Sequence, residues 1–277
     1  MQNKLLSPKV MLPTSLLAAF FVAVMRIVEY KSYYQADTGL LKGSYVFTII
    51  ALIVTAVITA CFAVFTLKDK EEFRLNTDKN LFSGVTGVVS ALIMFYSSGW
   101  ILARWFGYKT GVIYSSVGTE SSFMLPLAIF SVLTAVFLIA YSCVGFGKKN
   151  VFEKAQYLGL FPTFWGLVFL LYLFTNDSTY IVKSENYYIL LGAVSVLSSV
   201  LSFVRAFVFK DTGKRAKLMR ACLPCSIILS LGFSFSEIYF SLTGFERLKS
   251  MPIGVSLIYL AMGIFEMGAL SLTKAKD

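Results

Sequence analysis

The chain has 277 residues, of which 57% are apolar and only 14% are charged, and its formal net charge is +10. A soluble domain carries about 25% charged residues, so this composition excludes an ordinary soluble protein. The sequence contains no histidine, which excludes histidine-ligated haem and zinc sites and every nucleophile that needs histidine as its base. We therefore expect no cofactor and no metal site.

Apolar stretches of roughly 20 residues recur along the chain, and each could cross a ~30 Å hydrocarbon core as one helix. The alternating strand pattern of an outer-membrane barrel is absent from the sequence. We predict an all-α, polytopic membrane protein that forms one integral membrane domain over residues 1–277. Its eight predicted spans are at about 12–30, 43–67, 83–105, 122–145, 156–176, 187–209, 221–242 and 253–272.

The positions of lysine and arginine predict the orientation, because short loops rich in these residues stay in the cytoplasm. With the first segment inside, the inner segments contain 16 of the 25 basic residues and the outer loops contain 6. We expect both termini to be cytoplasmic and the protein to be a multi-pass protein of a plasma membrane, as in a bacterial inner membrane. The net charge then reflects topology and attraction to membrane lipids, and no nucleic acid partner is expected.

Three odd-numbered spans contain similar segments near their first residues: LPTSLL at Leu12, FPTFWG at Phe161 and LPCSII at Leu223. Proline suits the first turn of a helix, where its missing N–H needs no partner, so these segments predict helix starts. The even-numbered spans end in basic segments such as FTLKDK and SLTKAK. The pattern predicts four helical hairpins, each crossing outward and back; a chance alternation of helices is the other explanation.

Ionisable residues lie in the outer third of each odd-numbered span. Arg26 and Glu237 each follow a proline by thirteen residues, which places them at a similar depth, roughly 20 Å along their helices. A charge that faces lipid costs several kcal/mol, so we expect these side chains to face the bundle interior. The candidate ligand-binding residues are Arg26, Glu29, Arg104, Asp177, Ser234 and Glu237.

In this hypothesis the arginines bind an anionic group, and the carboxylates pair with them or carry protons. Ser226, Ser230, Ser234 and Glu237 share one helical face at spacings of four, four and three. The natural ligand is a small anionic or zwitterionic molecule. The other explanation is structural: long side chains near helix ends reach the headgroups, and serine rows only pack helices together.

Glu266 lies within the apolar segment IFEMGAL of the last span. It is a candidate proton-linked residue, or else a carboxyl that is simply neutral at membrane depth. Cys222 and Cys225 form a Cys-x-x-Cys pair, which raises the hypothesis of a membrane thiol-disulfide oxidoreductase. That hypothesis is disfavoured, because the pair is predicted at the reducing cytoplasmic side and no cysteine lies in an outer loop.

Our leading functional hypothesis is a transport or small-ligand-binding membrane protein with an outward-facing polar site between the odd-numbered helices. We expect it to have no catalytic residues and not to be an enzyme. The alternative is a non-catalytic structural or regulatory subunit, whose charges pair helices and which docks a membrane protein partner or a second copy of itself.

Overall fold

A computed structural model describes residues 7–33, 46–68, 73–75, 79–109, 123–148, 150–177, 184–208, 214–243 and 253–275. The elements in these ranges are α1 (Pro8–Tyr33), α2 (Val46–Lys68), β1 (Phe73–Leu75), α3 (Leu81–Lys109), α4 (Met124–Gly145), α5 (Leu160–Asp177), α6 (Ser184–Phe207), α7 (Lys214–Leu242), α8 (Ile253–Ser271) and β2 (Thr273–Ala275). Two 3-10 turns, Val151–Glu153 and Gln156–Gly159, lie between α4 and α5. All eight described α-helices are long and apolar enough to cross a membrane, which confirms the predicted number of such helices and is consistent with a multi-pass membrane protein.

Two of the predicted helix starts are wrong. Pro13 and Pro224 lie inside α1 and α7, because these helices begin earlier, at Pro8 and Lys214. Pro162, in contrast, does lie in the first turn of α5. An internal proline removes one backbone hydrogen bond and clashes with the preceding turn. In α1 and α7 the helix nevertheless continues through the proline. In α7 the helical residues before the proline belong to the basic segment that precedes the apolar span.

The exposed and buried faces of α2 differ in the type of side chain that they carry. Its exposed side chains are large and aliphatic, whereas its buried side chains are small or carry hydroxyls: Ile49, Ile53 and Val57 are exposed, and Thr48, Ala51 and Thr55 are buried. A helix of a soluble protein buries its aliphatic face instead. In hydrocarbon, aliphatic side chains gain nothing from being buried between helices, and small or hydroxyl-bearing residues mediate the contacts between helices. The α2 helix is therefore suited to face lipid.

Glycines bring α3 and α4 into close contact. A Cβ atom added to Gly145 would lie 2.7 Å from the Cα atom of Gly84, and one added to Gly87 would lie 2.9 Å from the Cβ atom of Ser142. The backbone amide of Asn80, just before α3, also donates to the carbonyl oxygen of Gly145 at 2.9 Å. Because residues further along α3 meet residues earlier in α4, the two helices run antiparallel with their backbones nearly touching.

The α7 and α8 helices lie at the centre of the described bundle. The α7 helix packs against α1, α2, α6 and α8, and α8 also packs against α3. Gly263 of α8 lies against Ser230 and Leu231 of α7, while Gly268 lies against Thr86 of α3. These close approaches bury most of α8, including Glu266. The two central helices therefore carry several of the buried polar groups, among them Ser226, Glu237 and Glu266.

An aromatic cluster joins three even-numbered helices near one end of the bundle. The ring of Phe265 in α8 contacts Tyr141 of α4 and Phe203 of α6, with ring centroids 5.1 and 5.0 Å apart. Phe207 of α6 contacts Tyr141 as well, at 5.6 Å, and Phe152 of the first 3-10 turn contacts Phe207 at the same distance. Edge-to-face contacts of this kind stabilise a core beyond simple area burial, so the cluster helps to hold α8 against its neighbours.

A two-stranded antiparallel ribbon was not predicted from the sequence. β1 pairs with β2 in the register Phe73 to Ala275, Arg74 to Lys274 and Leu75 to Thr273. Nearby, the Asn80 amide nitrogen donates to the Ser271 hydroxyl at 3.1 Å. The ribbon joins the segment between α2 and α3 to the segment after α8, so these two parts of the chain lie on the same side of the bundle.

Gly145→Ala tests the close contact between α3 and α4. The added methyl group would press on the backbone of Gly84, and we expect a loss of about 1–3 kcal/mol in the free energy of unfolding, as overpacking usually causes. Thermal unfolding of the purified protein in detergent measures the effect. The matched control is Gly99→Ala, because nothing lies within 4 Å of a Cβ atom added there. Equal stability of the two variants would contradict this account of the packing.

Candidate functional site in the helix bundle

A buried ion pair joins α1 and α7. The Nη2 atom of Arg26 lies 3.3 Å from the Oε1 atom of Glu237, and both side chains are only 1% exposed. The Nε atom of Arg26 also donates to the hydroxyl of Ser236 at 3.1 Å. Two of the six predicted site residues are thus brought into direct contact inside the part of the bundle that would lie within the membrane.

The depth of this pair is set by a small residue one turn away. A Cβ atom added to Gly232 of α7 would lie 2.8 Å from a methyl carbon of Val22 in α1, so the glycine lets the two helices approach closely. The helices run parallel from that contact, and the next turn of each one places Arg26 opposite Ser236 and Glu237. The pairing therefore follows from the close approach and the helical repeat.

Aromatic rings flank the guanidinium group of Arg26. Its Cζ atom lies 5.1 Å from the ring centroid of Phe233 and 5.5 Å from that of Tyr30. The Tyr30 ring in turn contacts Phe240, with centroids 5.3 Å apart. A guanidinium over an aromatic face is attracted by the ring quadrupole, more strongly where water is excluded. The rings thus favour a charged Arg26 and give the site apolar walls.

Glu29 lies one turn beyond Arg26 on α1 and binds the start of α2. The backbone amide of Thr48 donates to its Oε1 atom at 3.2 Å, and the hydroxyl of Thr48 donates to Oε2. Thr48 is in the first turn of α2, where backbone amides have no partner within the helix and where the helix dipole favours a negative charge. Glu29 therefore caps a neighbouring helix.

The other predicted site residues have different surroundings. Ser234 is buried, and its hydroxyl donates to the carbonyl oxygen of Ser230 in its own helix at 2.6 Å. The guanidinium of Arg104 lies over the ring of Trp100 at 5.3 Å, and that ring packs against Gly254 at the start of α8. Asp177 is the last residue of α5, but its side chain lies outside the described residues.

Several residues of the site could not be chosen from the sequence. Ser236 directly precedes Glu237 in the sequence, but it does not belong to the helical face formed by Ser226, Ser230, Ser234 and Glu237. Nothing in the sequence marks Thr48 as a partner of Glu29, because threonine is common in apolar spans. Phe233 and Tyr30 are two of the many aromatic residues in the spans. Only the neighbouring arginine identifies their role.

Glu266 forms a second buried polar centre, between α6, α7 and α8. The hydroxyls of Ser199 and Ser226 both donate to its Oε1 atom, that of Ser226 at 2.6 Å. This centre is separate from the Arg26 pair, since Ser226 and Glu237 lie eleven residues apart on α7, roughly 16 Å along the helix.

The four cysteines have free thiols; Cys61 is exposed and Cys143, Cys222 and Cys225 are half-buried. Cys222 is one turn ahead of Ser226 on α7, and Cys225 packs against the core. Among the residues that the structure describes, no group of three or more Cys, Asp or Glu side chains is arranged to hold a metal ion.

The Arg26 pair places one positive and one negative group side by side next to aromatic rings. Planar guanidinium groups bind carboxylates and phosphates through two parallel hydrogen bonds. Comparison with known protein families, with curated proteins and with solved structures finds no match to this chain.

A double-mutant cycle on Arg26 and Glu237 tests the energetics of the pair. Removing one partner of a buried ion pair leaves an uncompensated charge, so we expect Arg26→Met or Glu237→Leu alone to lower the free energy of unfolding by about 3–5 kcal/mol. The double variant should lose less than either single variant, because it leaves no buried charge. Denaturant titration of the protein in mixed micelles measures all four forms.

The control for this cycle is Arg205→Met, an arginine of α6 whose side chain is exposed. We expect little change there, because Arg205 lies in the last turn of α6, where a long basic side chain can reach the lipid headgroups. Strictly additive losses in the double variant would show that Arg26 and Glu237 do not stabilise each other.

Proposed function

We propose that this protein binds a small zwitterionic or anionic molecule at the Arg26–Glu237 pair and carries it across the membrane. The observation that carries the proposal is the pair itself, with both side chains 1% exposed. Buried ion pairs are expensive in desolvation, and apolar residues of similar size often stabilise a fold as well or better. Ionisable side chains at membrane depth mark ligand and ion pathways in membrane proteins.

The chemistry of the pair favours a zwitterion over a simple anion. A carboxylate of the ligand would take the place of Glu237 at the Arg26 guanidinium, and an ammonium group would pair with the Glu237 carboxylate. One buried ion pair then becomes two, and the net buried charge stays zero. A simple anion would leave Glu237 without its partner, so it would also require a proton on that carboxylate.

The surroundings of the pair support the same ligand class. Phe233 and Tyr30 lie against the guanidinium and would contact the apolar part of a bound molecule. Glu29 has a structural role at the start of α2, so movement of α1 relative to α7 would be transmitted to α2. In this proposal Arg104, Asp177 and Ser234 remain candidate residues along the ligand's path.

The proposed arrangement in the membrane is four outward-and-back hairpins with both termini in the cytoplasm, in a plasma membrane such as a bacterial inner membrane. The distribution of lysine and arginine supports this orientation. The ribbon between β1 and β2 also supports it, because it requires the segment before α3 and the segment after α8 to lie on one side. Membrane lipids are then the partners of the exposed aliphatic faces.

A second candidate function is a non-catalytic structural or regulatory subunit that docks a membrane protein partner or another copy of itself. It is favoured by one observation: Arg26, Glu237 and Glu29 all have partners within the chain, as expected if they only join α1, α2 and α7. A thiol-disulfide oxidoreductase that uses Cys222 and Cys225 is disfavoured, as before, by the predicted cytoplasmic side of that pair.

Ligand-induced thermal shifts separate the first two functions. We expect at least one amino acid zwitterion to raise the melting temperature of the wild-type protein, because a ligand that binds only the folded state stabilises it. The panel contains zwitterionic amino acids, a monocarboxylate, a dicarboxylate and inorganic phosphate. The double variant Arg26→Met/Glu237→Leu should stay folded but show no shift, while Arg205→Met should respond as the wild type does.

If no compound in this panel shifts the wild-type protein, or if the double variant responds equally, the proposed binding site is wrong. If the double variant also stays folded but no longer forms an oligomer or a complex that the wild type forms, the structural role replaces it.

Cysteine labelling tests the proposed orientation. In a background without the four native cysteines, a membrane-impermeant maleimide should label Lys31→Cys from outside intact cells, and Lys148→Cys only in inverted vesicles. Both positions are exposed in the structure, so access to the reagent depends on the side of the membrane. Labelling of both positions from the same side would overturn the hairpin arrangement.

A further inference from the structure

Glu266 lies at a junction of three helices and is completely buried. Ser199 of α6 and Ser226 of α7 both donate to its Oε1 atom. Its Oε2 atom is also buried and has no hydrogen-bond partner among the described residues. The two donors therefore converge on one oxygen of the carboxyl group and leave the other one vacant.

No basic side chain in the described ranges pairs with this carboxyl group; its hydrogen bonds come from the two serines alone. The titratable groups that face it from α7 are the thiols of Cys222 and Cys225, which interact with it electrostatically. From α4, the Tyr141 ring packs against the adjacent Phe265. None of these groups supplies a positive charge.

The remaining neighbours are not basic groups that face the carboxyl group either. The α3 helix contributes Thr86, which lies against Gly268. Arg205 of α6 is exposed. Arg220 of α7 is buried, but it lies six residues before Ser226, roughly 9 Å along the helix, and does not pair with Glu266. The ring of Phe203 from α6 packs on Phe265. The groups shown to interact with Glu266 are thus two serine hydroxyls and two cysteine thiols.

An ionised carboxylate in such a place is costly, because desolvation is offset by only two neutral hydrogen bonds. A proton on the vacant oxygen removes the charge and leaves both serine bonds in place. A sodium ion is less well matched to this centre, since the carboxylate and the two hydroxyls supply only four oxygen atoms. The arrangement therefore suits a proton better than a metal cation.

We propose that Glu266 is a reversible proton-binding site of this protein, with Oε2 as the atom that takes up the proton and Ser199 and Ser226 as the groups that hold Oε1. The step consumes one H⁺ from water and converts the carboxylate into a neutral carboxylic acid; release reverses it. No other bond forms or breaks. The site is independent of the ligand proposed for the Arg26–Glu237 pair.

Infrared difference spectroscopy on the whole protein in lipid, recorded as the pH is changed, tests the proposal. We expect a carbonyl band of a protonated carboxylic acid that disappears as the pH rises and is lost completely in Glu266→Gln. Glu153→Gln is the matched control, because Glu153 is an exposed carboxylate in the 3-10 turn before α5; the buried-carboxyl band should remain in it.

A second measurement needs no variant and so does not depend on how well Glu266→Gln folds. A hydrophobic carbodiimide reacts with protonated carboxyl groups in apolar surroundings, and mass spectrometry should locate its adduct on Glu266 in the wild type. The yield should fall as the pH rises and be equal in NaCl and choline chloride.

No titrating band that depends on Glu266, together with no pH-dependent adduct on Glu266, would overturn the proposal. Protection from the carbodiimide by NaCl but not by choline chloride would also overturn it, and would assign a sodium site instead. Loss of the thermal shifts expected at the Arg26–Glu237 pair would leave this result unaffected, so the two proposals fail separately.

Discussion

Hydrocarbon cannot solvate a charge, and this constraint governs where the polar groups of the bundle lie. Arg26 and Glu237 neutralise each other between α1 and α7, and the Glu29 carboxylate binds the unpaired amide at the start of α2. Each of these two contacts requires its two helices to be aligned at a defined depth, because a shift of one helical turn would separate the partners. The charged groups therefore define the relative positions of the helices as much as the apolar contacts do.

Close packing by small residues makes these pairings possible. Gly232 lets α1 approach α7 just before the ion pair, and Gly263 lets α8 approach α7 just before Glu266 meets Ser226. In water such packing would be driven by burial of aliphatic surface. In a membrane it depends on dispersion contacts and hydrogen bonds between helices. Both polar centres thus lie one turn from a glycine that sets the helix separation.

The number of helices in the described ranges could be predicted from the sequence, because a span of the right length must be largely apolar, but α1 and α7 begin earlier than predicted. The similar depth of Arg26 and Glu237 was also expected, since both follow a proline by thirteen residues. Pairing between the arginines and the carboxylates was a hypothesis, but the sequence did not identify Arg26 and Glu237 as the partners, because it does not state which helices are neighbours. Arg104 was grouped with them because it lies near the outer end of an odd-numbered span, and its guanidinium lies over Trp100 near α8.

Other features were missed for local reasons. The prolines in α1 and α7 suggested helix starts, but a helix can continue through a proline at the loss of one hydrogen bond. The strands β1 and β2 have only three residues each, too few for a recognisable alternating pattern. The role of Thr48 depends on Glu29, which lies beside its backbone amide in the fold but nineteen residues away in the sequence.

The central position of α8 has a consequence for how the chain reaches its final form. This helix leaves the ribosome after the seven other helices, yet it fills the space between α3 and α7 and contributes Phe265 to the aromatic cluster. Before α8 is inserted, the earlier helices form an incomplete bundle, in which Thr86 lacks its contact with Gly268 and Ser226 lacks its contact with Glu266. The pairing of β2 with β1 likewise joins two segments that lie about 200 residues apart in the chain.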